Sequence, residues 1–316
     1  MTGLSILTLL TAAAAAVQAQ RDIPLSEPLQ RILANTRAPQ YQYPTQLTQD
    51  IVPKAIHSHN DYWRQIPLYS ALSAGAVSVE SDVWLSNGTL YVGHELSALT
   101  TQRTFQSLYI DPIVSVLEAQ NPHSPFVTGT TRNGVYDTAS SQTLCLWIDI
   151  KTDGPTTWPV AVRALQPLRE RGWLTTVSAN GTVTPGPVTV IGTGNTPLNQ
   201  VQGVSPRDYF WDAPIPTLGT TFSNITANIS PIASTSFAQT FGTVRTQGLN
   251  ETQLSLLRSQ IATAKSKNIR TRYWELPGWP VGTRNAVWRQ LYDEGVDLLN
   301  VDDLQAAANF WDGDNY

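Results

Sequence analysis

From Lys54 to Asp302, short β-branched runs alternate with stretches of helical spacing, and this rhythm limits the chain to few folds. Strands are expected over 54–57, 76–85, 90–94, 144–151, 188–192, 209–211, 269–274 and 296–301. Helices are expected over 66–74, 105–120, 158–172, 251–267, 284–294 and 304–310, with Gly75 closing the first and Gly295 following the fifth. Between 219 and 248 the chain is rich in Ser and Thr and follows neither period. Parallel strands joined by helices need both faces of the sheet covered, and roughly 265 residues of alternation is the length of an eight-stranded barrel. The expected fold is α/β: a single-domain TIM-type (β/α)8 barrel over 53–316, preceded by an irregular arm over 20–52 rich in Pro, Gln and Tyr. A doubly wound open sheet is the alternative.

Alternation inside the strands separates core from chemistry. In Val77-Ser78-Val79-Glu80-Ser81-Asp82-Val83 the valines share one face, and Ser78, Glu80 and Asp82 share the other. Helices cover the apolar face, so both carboxylates point into the barrel near the C-terminal end of the strand, where barrel active sites lie. In Leu144-Cys145-Leu146-Trp147-Ile148-Asp149-Ile150-Lys151 the same rule groups Asp149 with Lys151. His57 ends the first strand, His59 follows two residues later, and His94 ends the return strand after the carboxylates. Three interior carboxylates without a countercharge are very costly. A divalent cation with oxygen ligands, Mg²⁺ or Ca²⁺, held by Glu80, Asp82 and Asp149, removes that cost. Interior salt bridges with Lys151 or Arg272 are the plainer alternative.

The segments 55–62, 75–83 and 92–94 together resemble the catalytic core of the glycerophosphodiester phosphodiesterases: a first His, Glu-x-Asp on the second strand, then a second His after a short hairpin. Asp149-Ile150-Lys151 is similar to their carboxylate-x-Lys, and Asp302 matches a terminal aspartate. Phosphatidylinositol phospholipases C and spider-venom phospholipases D share part of the pattern. The wording His57-Ser58-His59-Asn60-Asp61-Tyr62 resembles most closely the fungal altered inheritance of mitochondria protein 6 family. Ser58 and His59 stand where the phosphodiesterases carry Arg and Gly.

The resemblance implies a metal-dependent phosphoric diester hydrolase acting on a glycerophosphodiester or phospholipid headgroup. The metal would polarise a phosphate oxygen, Lys151 would add positive charge, and two histidines would exchange protons with the attacking and leaving oxygens. His94 is one of the two. The other is His57 or His59, with His57 preferred because it closes the strand. A neighbouring substrate hydroxyl that attacks first would give a cyclic phosphate.

Two other function classes are open. One is a barrel that binds without catalysis. The other is an amidohydrolase-type metal site built on His57-Ser58-His59, which needs further histidines on later strands; only His123 follows His94. Lys+Arg 20 against Asp+Glu 24 leaves a net charge of −4, which argues against a nucleic-acid partner. The single Cys145, on a strand, reads as a small core residue. Trp274 and Glu275 are expected to wall the pocket or pack the core, and 209–212 to line a lipid-binding mouth. Asn60 and Asp61 would add a ligand or orient His57. An alanine-rich apolar run over 4–17, with small residues at Val17 and Ala19, reads as a signal peptide over 1–19, and no other run is long enough to span a membrane. With five Asn-x-Ser/Thr triplets, it predicts a secreted, extracellular glycoprotein that touches membranes only transiently.

Overall fold

The valines of the second strand are buried on the side away from its carboxylates, as alternation requires. The computed structural model describes residues 43–312. Contacts divide the chain after Pro44. Of the first unit only Tyr43 and Pro44 are described, so the expected signal peptide over 1–19 and most of the arm lie outside the described residues. Residues 45–52 belong to the second unit, where Thr48 Oγ1 donates to the Val135 carbonyl at 2.8 Å.

Twelve strands are present among the described residues. They are β1 (Lys54–Ser58), β2 (Ala76–Ser86), β3 (Thr89–Val92), β4 (Leu144–Ile150), β5 (Thr176–Val177), β6 (Val183–Thr184), β7 (Val188–Gly194), β8 (Phe210–Trp211), β9 (Ala213–Pro214), β10 (Ile232–Ser236), β11 (Arg270–Trp274) and β12 (Leu298–Val301). Strands β5 and β6 form a separate antiparallel ribbon, and β3 folds back on β2. The other nine run in the order β8-β7-β4-β2-β1-β12-β11-β10-β9, every neighbouring pair parallel.

The two ends of that order are one stretch of chain. Residues 210–211 pair with β7 and residues 213–214 with β10, while the Asp212 N–H between them donates to the Gly192 carbonyl at 2.9 Å. Counted as one stave, this stretch closes the sheet into the expected eight-stave α/β barrel. The helix Glu251–Lys265 illustrates the outer layer. Asn250 and Gln253 make its capping box, and Leu254, Leu257 and Ile261 face inward.

Several boundaries differ from the sequence expectation. The helix expected over 66–74 is reduced to Tyr69–Ser73, because Leu68 takes a φ of 64° after Pro67. The one expected over 158–172 starts at Gly154, where Asp153 accepts from the Thr156 N–H at 2.9 Å, and breaks at Leu165 before Gln166–Glu170. The unreadable stretch 219–248 contains β10. Its inward side chains are Ser234 and Ser236, so the hydrophobic alternation that marks a strand is missing.

Asp212 gives the closure a titratable group. Its Oδ2 accepts from Thr193 Oγ1 at 2.8 Å and Ser234 Oγ at 2.5 Å, and its buried Oδ1 has no partner. Burial, only partly opposed by Arg272, pushes the carboxyl up to about 6. The folded state therefore takes up a proton that the unfolded chain has lost, and stability falls as pH rises from about 4 to about 6. Asp212→Asn is expected to be more stable than wild type at pH 7.5, by up to about 3 kcal/mol, and equal to it near pH 4. Thermal unfolding at both pH values checks this, and an unchanged gap contradicts it.

Candidate active site

Parallel pairing puts Asp82 of β2 beside Asp149 of β4, with Glu80 one step below on the same inward face. Glu80, Asp82 and Asp149 each offer a carboxylate oxygen, and these oxygens lie within 4.8 Å of one another. Glu80 and Asp82 are buried. Lys151 Nζ bridges the two aspartates, 2.9 Å from Asp82 Oδ2 and 2.7 Å from Asp149 Oδ2. Asp82 Oδ1 is buried without a partner. Gly194, at a φ of 61°, makes room for Asp149, since a Cβ there would lie 2.0 Å from Oδ1. An all-oxygen donor set with an orphaned carboxylate oxygen fits a hard divalent cation. These three residues could hold one.

The charges respond to the crowding. Burial, then the neighbouring Glu80 and Asp149 charges, push Asp82 up to about 6 against the pull of Lys151. Asp149 is raised by burial, which Lys151 opposes. Burial would raise Glu80 too, but the Arg272 guanidinium, at 3.7 Å, holds its carboxyl well below the usual range. Burial lowers Lys151, but Asp149 and Asp82 outweigh it and leave the amine raised.

The histidines separate into two kinds. His59 and His94 line a cavity of about 740 Å³ together with Glu80, Asp149 and Lys151. His59 Nδ1 lies 2.8 Å from Asp302 Oδ1, and its Nε2 lies 3.6 Å from Glu80 Oε2. Burial lowers this imidazole, yet the hydrogen bond to Asp302 and the charges of Glu80 and Asp302 together raise it. On the other flank, His94 Nδ1 stands 3.3 Å from Asp82 Oδ2. Tyr62 Oη sits at that corner, 2.7 Å from Asp82 Oδ2, 2.5 Å from Asn60 Oδ1 and 3.1 Å from His94 Nδ1.

His57 is different. It is fully buried, with Nδ1 2.7 Å from Ser78 Oγ and Nε2 2.5 Å from Arg272 Nη1. Burial, then Arg272, push it down to about 3. The expectation that preferred His57 over His59 meets a different geometry: both His57 ring nitrogens are engaged below the cavity, and of the two it is His59 that lines it.

The neighbouring loop is built on Asp61. Its Oδ1 accepts from Ser58 Oγ at 2.7 Å, and its Oδ2 from the Leu68 N–H at 2.6 Å and Tyr109 Oη at 3.1 Å. It latches the loop and faces away from the cluster. Asn60, at a φ of 47°, gives its N–H to Glu80 Oε2 at 3.1 Å. Trp274 and Glu275 do line the cavity, whereas Tyr209 and Phe210 are buried; Tyr209 packs on Trp158. Cys145 is a buried core thiol, raised by burial. Tyr62, Trp63 and Thr193 escaped the sequence reading, in which Arg272 stands only as an interior salt-bridge partner. Only Tyr62 left a trace there, as the residue that closes the His-Ser-His-Asn-Asp-Tyr wording.

Comparison with known proteins adds an independent line. Residues 45–212 match the AIM6-like phosphodiesterase domain. The altered inheritance of mitochondria protein 6 homolog of Arthroderma benhamiae is 56% identical over 297 residues, covering 91% of this chain and 93% of the relative. The protein of that name from Eremothecium gossypii is 37% identical over 284 residues, covering 84% and 71%. A glycerophosphodiester phosphodiesterase from Parabacteroides distasonis superposes with a TM-score of 0.43 at 12% identity, over 82% of this chain and 98% of that one. The relatives' name refers to the inheritance of mitochondria, an intracellular matter, and it overturns the expectation of a secreted, extracellular protein. With a barrel that carries the acidic cluster at the C-terminal ends of β2 and β4, and relatives this similar over most of their length, the chain belongs to the altered inheritance of mitochondria protein 6 family, with a domain of phosphodiesterase type.

Proposed function

We propose that the chain is a metal-dependent phosphoric diester hydrolase acting on a small-molecule or lipid phosphodiester. The observation that carries this reading is the placement of two cavity-lining imidazoles, His59 and His94, on either side of three carboxylates suited to one hard cation. A bound Mg²⁺ or Ca²⁺ supplies Lewis-acid stabilisation of phosphate charge. Glu80, Asp82 and Asp149 would hold it.

The chain's own residues do the rest. Asp302 accepts the Nδ1 proton of His59 and fixes which edge of the ring faces the cavity. His59, raised by its acidic neighbours, keeps a proton on Nε2 and gives it to the leaving alkoxide. His94 takes the proton of the attacking hydroxyl or water, oriented through Asp82 and Tyr62. Lys151 keeps a positive charge facing the developing negative charge. Trp63 lies beside His94, 5.1 Å between ring centroids, and lines the same side of the cavity.

The amidohydrolase-type reading has less support, because His57 is bonded to Ser78 and Arg272 and offers no free nitrogen. The test is hydrolysis of bis(4-nitrophenyl) phosphate by the purified protein. Turnover is expected to vanish with a chelator and return on adding Mg²⁺, Mn²⁺ or Ca²⁺. A rate indifferent to chelation, or no turnover with any of the three ions, rejects the reading.

A further inference from the structure

Under the acidic cluster the barrel interior contains a guanidinium whose donors are mostly unused. Arg272 sits in the middle of β11, opposite Ser234 of β10 and Leu298 of β12. The residue is only 2% exposed, yet what remains accessible lines the cavity. Its Cζ stands 4.1 Å from the centroid of the Trp147 ring. Nη1 donates to His57 Nε2 at 2.5 Å and stands 3.7 Å from Glu80 Oε1, beyond hydrogen-bond reach.

His57 is built to receive it. Arginine does not give up its proton, so His57 Nε2 must be the acceptor, and the proton of the neutral ring sits on Nδ1, donated to Ser78 Oγ. His57 and the face of Trp147 thus fix the guanidinium plane.

A guanidinium carries five N–H donors. His57 is the only hydrogen-bond acceptor this one finds among the described residues, and Nε is buried with no partner. Buried polar groups are rarely left in that state. A countercharge for Glu80 alone would not need a fork held rigidly at the cavity floor and out of hydrogen-bond reach of that carboxylate. Strand β11 lies across the barrel from β4, so Arg272 and Lys151 face the cavity from opposite walls.

We propose that Arg272 contacts the substrate, its free N–H groups binding a nonbridging phosphoryl oxygen from the floor of the cavity, and that His57 is its positioning residue. The fork of donors suits a tetrahedral oxyanion. This inference rests on reading the cavity as a phosphodiester site.

Arg272→Lys keeps the charge and removes the fork. Inorganic phosphate, titrated calorimetrically into the manganese-loaded protein, is expected to bind it about 10–100-fold more weakly than wild type. Turnover of bis(4-nitrophenyl) phosphate should fall about 10²–10³-fold, with Mn²⁺ affinity unchanged. Equal phosphate affinity and turnover in a folded Arg272→Lys protein overturns the proposal. Should that variant not fold, wild type labelled with ¹⁵N at arginine Nε decides. The protected Nε–H signal of Arg272 shifts on adding phosphate if the proposal holds, and stays in place if it does not. Phosphate binding through Arg272 without any phosphodiester turnover removes the enzymatic reading and leaves this one standing. Turnover indifferent to Arg272 does the reverse.

Discussion

Replacing His59 by alanine is expected to lower kcat/KM for a phosphodiester about 10²–10⁴-fold while the protein stays folded. The ring makes one good hydrogen bond, to the exposed carboxylate of Asp302, so its loss costs about 1 kcal/mol of stability. The chemical loss is larger, because the other imidazole near Glu80, that of His57, does not line the cavity. The pH profile carries the signature. A histidine raised above its ordinary value and active as its acid holds the rate at low pH and loses it as pH rises through the raised value. His59→Ala removes that alkaline limb. His57→Gln should behave in the opposite way: a lower melting temperature, because a fully buried ring that anchors Arg272 is disturbed, but both limbs of the profile kept. Kinetics from pH 5 to 9 on the two variants separates them. A limb lost from His57→Gln and retained in His59→Ala would return the catalytic role to His57.

Glu80→Gln is expected to weaken cation binding and lower turnover together. The amide fills the same volume and can still accept from the Asn60 N–H. What it lacks is the charge, and Glu80 is the carboxylate most firmly kept ionised in this cluster, held low by Arg272 where burial raises Asp82 and Asp149. It is also shared, lying 3.6 Å from His59 and 3.7 Å from Arg272. Turnover at saturating Mn²⁺ should fall by at least about 10²–10³-fold, with a weaker Mn²⁺ isotherm. Full activity with a normal isotherm in this variant would leave the acidic cluster without a function.

Much of this site follows from strand period alone. The alternation of Val77 through Val83 and Leu144 through Lys151 selected Glu80, Asp82, Asp149 and Lys151, because a period of two admits only two faces and the valines occupy one. The same rule could not choose between His57 and His59. Two residues apart, they would share a face if the strand continued; instead it ends at Ser58, and Asn60 turns the chain at a φ of 47°. That turn opens His59 to the cavity and leaves His57 inside. Arg272 is legible in the sequence only as a salt-bridge partner, because an arginine on a short strand, Arg270-Thr271-Arg272-Tyr273-Trp274, looks the same whether it faces solvent or the barrel axis. Its partners, Trp147 and His57, come from distant strands. The β10 stave was hidden for a related reason. Interior positions near a polar site carry Ser234 and Ser236, and the local apolar signal disappears where function replaces packing.

Diffraction from manganese-soaked crystals, recorded at the manganese absorption edge, tests the shared-ion site most directly. The expected result is one anomalous peak in contact with the carboxylates of Glu80, Asp82 and Asp149, lying between His59 and His94. A map with no peak at that cluster, or a peak held by the histidines away from the three carboxylates, would contradict it.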